Sequence, residues 1–197
     1  MVRTDGRGPR LTLGLYNSYD PARFHEQHRR TLARVAPLAM AYDCNVATFG
    51  FPFDEGRRRE RPTGVDLRTP VEIADFVADS TTIGEGGKYF RELASAGRFA
   101  AFPFPDPGFP PQLGTVVLTT SRAEGAKALS LRQARELVRR ESATFVFGLG
   151  PHGAPREVFG QARHLFDVTG RGLSLETATA MGAVVGALAA DRAAGGA

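Results

Sequence analysis

Short apolar runs of strand length alternate along this chain with segments of helical period. Six runs rich in β-branched and aromatic residues predict strands at 11–16, 46–51, 98–102, 115–120, 144–147 and 164–168. Segments with apolar residues at helical spacing lie at 22–42, from 70 onward, and at 88–96, 131–141, 156–163 and 175–192. This alternation predicts an α/β fold with a mostly parallel sheet and helices on both faces. Such sheets bind ligands at the carboxyl ends of their strands.

Local residue chemistry predicts where the first helix begins. Asp20 is a favoured N-cap residue, and Pro21 suits the first helical position. The helix is therefore expected over 22–42. Pro37 lies inside this segment and has no amide hydrogen, so we expect it to bend the helix or divide it in two.

Two later helices begin with a capping box, in which two side chains cap each other's backbone amides. Thr69 with Glu72, and Ser130 with Gln133, have the required spacing of three residues. These pairs predict helix starts at residues 70 and 131.

The bulk properties fit one domain in a reducing compartment. The chain has 197 residues, a net charge of +4 and one cysteine, Cys44, so no disulfide can form within it. We expect a disordered tail over 1–10 and a single domain over 11–192. The first residues lack the apolar stretch of a signal peptide, and no apolar run approaches the roughly 20 residues of a membrane span. A cytoplasmic protein without a membrane partner is therefore expected.

The loop after the fifth predicted strand is rich in glycine and proline. Glycines at 148, 150 and 153 leave backbone groups open to a planar or phosphorylated ligand, and prolines at 151 and 155 stiffen the loop. An ordinary tight turn is the alternative, but eight residues are more than a turn requires. A side chain at Gly150 is expected to protrude into the binding pocket.

The same loop contains the pattern G-x-G-x-x-G of dinucleotide-binding proteins. In that motif the third glycine opens a helix, and an acidic residue follows about 20 residues later in a βαβ unit. Here Pro151 and Pro155 delay the helix, Asp167 arrives early, and only one strand remains. A nicotinamide-dependent oxidoreductase is therefore a distant alternative.

The loop before the final helix carries hydroxyl groups and one acid. Ser174 is a candidate cap for this helix, with Thr177 at its third position, and Glu176 is the acid. Within the helix, Gly182 and Gly186 form a small-residue face that would let another backbone approach closely.

Two segments near the chain end carry a family resemblance. The pairing of Phe147-Gly148-Leu149-Gly150-Pro151-His152-Gly153 with Leu173-Ser174-Leu175-Glu176-Thr177-Ala178 resembles the knotted half of the SPOUT superfamily. These proteins are S-adenosylmethionine-dependent RNA methyltransferases with a trefoil knot, and most are homodimers. The whole chain also resembles an archaeal family of unknown function in that superfamily. That second resemblance rests on segments 13–21, Thr119-Thr120-Ser121-Arg122 and 167–177.

The resemblance implies a fold, a cofactor and a partner. The knot would lie at about 115–190, and the second subunit would pack on the small-residue face of the final helix and on the helix at 22–42. No metal is expected. The cofactor S-adenosylmethionine would lie among Thr119, Thr120, Leu149, Gly150, Gly153, Leu173, Ser174, Leu175 and Thr177.

Catalysis needs positioning and removal of a proton. In the ribose-methylating SPOUT branch, an Asn and an Arg after the first strand do much of this work. This chain has Asn17 before the turn and Arg23, Arg29, Arg30 and Arg34 after it, and Asn17 and Arg34 are the candidates. His152 in the glycine loop and Glu176 near the transferred methyl group are further candidates. His25 and His28 remain open as a proton acceptor, phosphate contacts or half of a metal site.

Arginines supply the predicted contacts to RNA phosphates. Candidates are Arg29 and Arg30 on the first helix, and Arg57, Arg58 and Arg59 in a charged loop. The leading hypothesis is a methyltransferase acting on tRNA or rRNA. A non-catalytic cofactor- or RNA-binding module on the same fold is the alternative, because a fold does not determine a function.

Overall fold

The computed structural model describes residues 8–55, 64–150 and 153–194. Within these ranges seven strands form one sheet in the order β3-β2-β1-β6-β4-β7-β5, and every pairing is parallel. The predicted α/β class is therefore confirmed. The strands are β1 Leu11–Tyr16, β2 Asn45–Phe49, β3 Phe99–Phe102, β4 Thr115–Thr119, β5 Ala128–Leu129, β6 Ala143–Gly148 and β7 His164–Phe166.

Six α-helices lie within the described residues, and they are shared unequally between the two faces of the sheet. They are α1 Glu26–Ala41, α2 Pro70–Ser80, α3 Gly86–Ser95, α4 Leu131–Arg140, α5 Arg156–Gln161 and α6 Thr177–Ala194. All except α5 contribute to one core, which also takes Leu13 and Phe145 from the sheet. The opposite face, with Phe49 and Val146, is covered by α5 and by the loop that carries Phe109 and Leu113. Successive strand residues therefore serve opposite cores.

Both predicted capping boxes are confirmed. The Thr69 hydroxyl accepts from the Glu72 amide at 3.1 Å, and the Glu72 carboxylate accepts from the Thr69 amide at 2.9 Å. Ser130 and Gln133 make the same reciprocal pair at the start of α4. Local chemistry thus determines where these two helices begin.

The first helix begins later than predicted. Asp20 does cap backbone amides, accepting from Ala22 at 2.7 Å and Arg23 at 3.2 Å, but residues 21–25 are not helical. The Phe24 amide donates instead to the buried Glu55 carboxylate at 3.1 Å, and the Phe24 ring packs in the core. This tertiary contact holds an extended turn where the sequence predicts a first helical turn.

Pro37 does not divide α1, which runs unbroken to Ala41. Proline at this position leaves the carbonyl of Ala33 without its helical donor. Gly86 of α3 lies directly against that carbonyl, and a Cβ on Gly86 would collide with it. The lost hydrogen bond therefore coincides with a close approach of a neighbouring helix.

Two further differences lie toward the end of the chain. The short edge strand β5 was not predicted, because two residues carry no alternation signal. The final helix begins at Thr177 rather than Leu175. No helix within the described ranges is long and apolar enough to cross a membrane.

Candidate cofactor pocket

Three loops meet at the carboxyl ends of β4, β6 and β7, where the topology predicts a site. They enclose a cavity of about 710 Å³. Its floor includes the buried side chains of Phe147, Phe166 and Val184. The volume lies in the range of small-molecule and cofactor sites.

All nine residues predicted to bind the cofactor line this one cavity. The wall also contains residues that were not among the predicted ligands. Most of them lie just after a strand end or in the first turn of α1. The polar, charged and aromatic residues in this group are Tyr19, Gln27, Ser121, Arg122, Phe159, Asp167 and Glu176.

The glycine loop is folded onto itself and onto the segment after β1. A Cβ on Gly148 would collide with the backbone of Gly153 and Ala154, and a Cβ on Gly150 would collide with the carbonyl of Ser18. The expectation that a side chain at Gly150 would enter the pocket is therefore wrong. It would push against the β1–α1 loop instead.

Three backbone amides in the described part of this loop are already used within the protein. The amide of Leu149 donates to the carbonyl of Tyr16 at 2.9 Å. The amide of Gly150 donates to the Ser18 hydroxyl at 2.9 Å, and that of Gly153 to the Gly150 carbonyl at 3.0 Å. A pyrophosphate needs free amides at a helix N-terminus, so this geometry disfavours dinucleotide binding despite the G-x-G-x-x-G pattern.

Free amides lie instead on the loop before α6. In the part of the chain that the structure describes, no group accepts a hydrogen bond from the backbone amides of Ser174 or Leu175. Leu175 and the neighbouring Leu173 are exposed, with 37% and 58% of their surface accessible. This edge can therefore donate hydrogen bonds to a ligand while apolar side chains flank it.

Hydroxyl groups fix the strand ends around the cavity. Thr119 Oγ1 donates to the carbonyl of Val146 at 2.8 Å, joining β4 to β6. Thr177 Oγ1 donates to the carbonyl of Gly148 at 3.0 Å, joining α6 to β6. Both threonines thus have a structural task in addition to lining the cavity.

Asp167 organises the loop after β7. Its carboxylate accepts from the Thr169 hydroxyl at 2.7 Å, the Thr169 amide at 2.9 Å and the Gly172 amide at 2.7 Å. Partial burial raises the pKa of Asp167, but hydrogen bonds led by that of the Thr169 hydroxyl outweigh it, so the net pKa is lowered. The carboxylate is therefore charged at neutral pH.

Glu176, and not Ser174, caps α6. Its Oε2 accepts from the amides of Ala178 at 2.9 Å and Thr179 at 3.2 Å. The prediction that Ser174 caps the helix is wrong, because the helix begins two residues later than expected. Glu176 also lines the cavity, so the residue that caps the helix is part of the pocket wall.

Asn17 is buried beneath the β1–α1 loop and does not line the cavity. Its Nδ2 donates to the carbonyls of Asp20 at 2.8 Å and Gly50 at 2.9 Å. Its Oδ1 accepts from the amide of Tyr19 at 3.2 Å and lies 3.0 Å from His28 Nε2. All polar groups of Asn17 therefore have partners that shape this loop.

His28 is a neutral structural histidine. Its Nδ1 accepts from the His25 amide at 3.1 Å, so Nε2 carries the proton donated to Asn17. Burial, with electrostatic repulsion from nearby His25 as a smaller cause, lowers the pKa of His28 to about 4. Its side chain is fully buried, which rules out a direct phosphate contact.

His25 lies at the surface of the same loop, 2.6 Å from the Asp20 carboxylate. The two histidine rings stack, with centroids 6.2 Å apart. Among the residues that the structure describes, no three histidine, cysteine or acidic side chains are grouped so as to hold a metal ion.

The predicted arginines of α1 lie away from the cavity. Arg29 lies over the ring of Phe76 at 6.0 Å, and Arg30 pairs with Glu26 at 3.3 Å. Arg34 is half-buried on α1 and is not part of the cavity wall. His152, Arg57, Arg58 and Arg59 lie outside the described residues.

Several solved structures with a similar fold carry the name methyltransferase or methylase. A probable methyltransferase from Bordetella pertussis Tohama I superposes with a TM-score of 0.61 at 11% identity, over 92% of this chain and 95% of that one. A putative methylase family protein from Neisseria gonorrhoeae gives 0.53 at 18% identity, over 92% and 82%. The SpoU methyltransferase AviRb from Streptomyces viridochromogenes, in complex with the cofactor AdoMet, gives 0.51 at 12% identity. That match covers 94% of this chain and 59% of AviRb. At these identities the likeness shows the α/β fold of the SPOUT methyltransferases.

One sequence relative shares more identical residues with this chain than these structures do. An uncharacterized protein of Methanocaldococcus jannaschii, MJ0224, is 35% identical over 175 residues, which are 89% of this chain and 90% of the relative. Residues 11–189 match the family described as "Protein of unknown function (DUF531)". This chain has the α/β fold seen in the SPOUT methyltransferase structures above, and it belongs to the DUF531 family.

Proposed function

We propose that this protein is an S-adenosylmethionine-dependent RNA methyltransferase. The observation that carries the proposal is the single cavity at the ends of β4, β6 and β7, lined by all nine residues that the family resemblance assigns to the cofactor. The fold it shares with methyltransferases, one of them bound to AdoMet, supports the same conclusion.

The residues around the cavity suit S-adenosylmethionine. A buried aromatic and aliphatic floor can hold the adenine ring, and the free amides of Ser174 and Leu175 can donate to its ring nitrogens. Because the amides of Leu149, Gly150 and Gly153 are engaged within the protein, the described part of the glycine loop offers few N–H donors to a ligand. That pattern fits an uncharged nucleoside better than a pyrophosphate.

When bound, the cofactor supplies an activated methyl group. The chain must then position the RNA nucleophile and accept its proton. Glu176 is the catalytic candidate whose side chain lines the cavity, and Oε1 is the oxygen of its carboxylate not used for capping α6. His152, in the glycine loop, is the second candidate. Asn17 is assigned a positioning role, because its hydrogen bonds shape the loop that presents Tyr19 to the cavity.

One observation favours a non-catalytic binding module as the second candidate function. Asn17 and Arg34, the pair implied by the ribose-methylating branch, both lie outside the cavity wall. A protein with this arrangement could bind the cofactor or RNA without transferring the methyl group.

We further propose a knotted homodimer in the cytoplasm, with the trefoil knot within about 115–190 of a domain over 11–192. The face of α6 that includes Gly182 and Gly186 is open, since a Cβ at either position would meet no atom within 4 Å. This open small-residue face supports close packing of a second subunit. The measurement is the solution mass, and a monomer would contradict the proposal.

The test of activity is transfer of a labelled methyl group from S-adenosylmethionine to tRNA and rRNA transcribed in vitro, which carry no prior modification. Incorporation of the labelled methyl group into RNA that is lost when the cavity is altered supports the proposal that the protein is an enzyme. Cofactor binding without labelling of any transcript would favour the binding module.

The RNA contact can be tested separately. Replacing Arg57, Arg58 and Arg59 by alanine is expected to weaken RNA binding and to reduce its salt dependence, because each phosphate contact releases a counterion. Unchanged salt dependence would remove these residues from the proposed interface.

A further inference from the structure

The charged groups on the cavity wall differ in how they are used. Among the described residues, three charged side chains line the cavity: Arg122, Asp167 and Glu176. Asp167 holds the loop after β7, and Glu176 caps α6 through Oε2. The two carboxylates therefore serve the protein's own backbone amides, whereas the cation is available for another role.

Arg122 is held in place without the use of its side-chain hydrogen-bond donors. Its backbone amide donates to the Thr120 hydroxyl at 3.1 Å, which fixes the turn after β4. Its guanidinium lies over the ring of Phe159, 5.6 Å from the centroid, and Phe159 also lines the cavity. This contact engages the positive charge and leaves the N–H groups free. Within the described ranges, no carboxylate pairs with Arg122.

An arginine that is positioned but unpaired beside a cavity suits a planar anion. A guanidinium matches a carboxylate through two parallel N–H donors, and such charge-assisted bonds are among the strongest in proteins. Building on the proposed function, we infer that Arg122 binds the carboxylate of the cofactor's methionine moiety. Arg122 thereby distinguishes S-adenosylmethionine from nucleosides that lack this group.

The inference divides the cavity into two parts. The apolar floor and the Ser174–Leu175 edge would hold the nucleoside, while Arg122 and Phe159 would hold the amino-acid end. Glu176 Oε1 is free of capping contacts and can accept a hydrogen bond from the cofactor's ammonium group. In that role Glu176 would hold the cofactor, and His152 would be left as the candidate proton acceptor. A zwitterion would thus meet one cation and one anion on the wall.

The test uses two ligands that differ only by the carboxylate, S-adenosylmethionine and decarboxylated S-adenosylmethionine. Their dissociation constants are measured by calorimetry on the full chain, on Arg122→Gln and on Arg122→Lys. The matched control is Arg171→Gln, which removes the same charge from an exposed position in the neighbouring loop, outside the cavity wall. Thermal melting checks that each variant is folded.

We expect the wild-type protein to bind the decarboxylated ligand roughly ten- to a hundredfold more weakly, the loss typical of a hydrogen-bonded charge pair. Arg122→Gln should abolish this discrimination by weakening only S-adenosylmethionine, Arg122→Lys should keep part of it, and Arg171→Gln should retain it in full.

Two results would overturn the assignment while leaving the proposed function intact. One is wild-type protein that binds both ligands equally. The other is Arg122→Gln protein that still discriminates as the wild type does, including the case in which it loses only RNA affinity. Wild-type protein that binds neither ligand would instead overturn the proposed function itself. If Arg122→Gln does not fold, the wild-type comparison and Arg122→Lys still decide the question.

Discussion

The hydroxyl of Thr177 donates a hydrogen bond to the carbonyl of Gly148 at 3.0 Å, joining the first residue of α6 to the last residue of β6. Both residues line the cavity, so this bond sets the separation of two of its walls. We predict that Thr177→Val, which keeps the shape but removes the donor, destabilises the protein by about 1 kcal/mol because the Gly148 carbonyl loses its partner.

The same change should weaken S-adenosylmethionine binding severalfold, measured by calorimetry. Thr177→Ser keeps the donor and is the control, with affinity expected near that of the wild type. If the valine and serine variants bind equally well, the hydroxyl does not position the pocket.

Gly150 and Gly160 differ in the space around them. A Cβ on Gly150 would collide with the Ser18 carbonyl, whereas one on Gly160, within α5, would meet no atom within 4 Å. We predict that Gly150→Ala lowers the free energy of unfolding by about 1–3 kcal/mol through backbone displacement. Gly160→Ala should be neutral or stabilise by up to about 1 kcal/mol, because alanine favours the helix. Urea denaturation compares the two, and a Gly150→Ala variant as stable as Gly160→Ala would contradict the described contact.

His28 should make stability depend on pH. Burial is the main reason that its pKa falls from 6.5 to about 4 in the folded protein. Between these values the unfolded chain binds the extra proton, so stability is complete above about pH 6.5 and declines as the pH falls toward 4. The maximum loss from this group is roughly 3 kcal/mol.

The measurement is the difference in unfolding free energy between pH 7 and pH 4.5, compared between wild type and His28→Gln. His164, whose pKa is also lowered, chiefly by burial, remains in both proteins and cancels. The wild type should lose more stability than the variant over this range. Equal losses would mean that His28 titrates normally in the folded state.

Glu176 has a capping role that can be separated from a catalytic one. Glu176→Ala should cost about 1 kcal/mol of stability by leaving the amides of Ala178 and Thr179 without their acceptor. Glu176→Ser supplies a favoured capping oxygen and should restore stability, but it carries no charge. If Glu176 also accepts a proton, the serine variant will melt like the wild type and transfer methyl groups more slowly. Full activity in Glu176→Ser would limit Glu176 to capping.

Much of this fold follows from signals that act within a few residues. The alternation of strand and helix segments predicts the parallel sheet, and the reciprocal caps at Thr69 and Ser130 set two helix starts. Because the carboxyl ends of parallel strands share one edge of the sheet, the sequence alone predicts that the three loops lie together. The nine residues that the family resemblance implies for the cofactor belong to these loops, and all nine line one cavity.

The errors arise where distant residues decide the local structure. Residues 21–25 have helical signals, but Glu55, far along the chain, takes the amide of Phe24. A side chain at Gly150 is expected to enter the pocket because the sequence does not reveal that the Ser18 carbonyl lies against this residue. Arg122 has no functional signal in the sequence beyond its place in the family segment Thr119-Thr120-Ser121-Arg122, since its stacking on Phe159 depends on the packing of α5.

The central claim is that the cavity between these loops binds S-adenosylmethionine, and calorimetric titration tests it most directly. Purified protein is titrated in parallel with S-adenosylmethionine, S-adenosylhomocysteine and NAD. The account predicts that the first two ligands bind with micromolar dissociation constants and that NAD, whose pyrophosphate would find the glycine-loop amides already engaged, does not bind. Binding of NAD alone, or of none of the three, would contradict it.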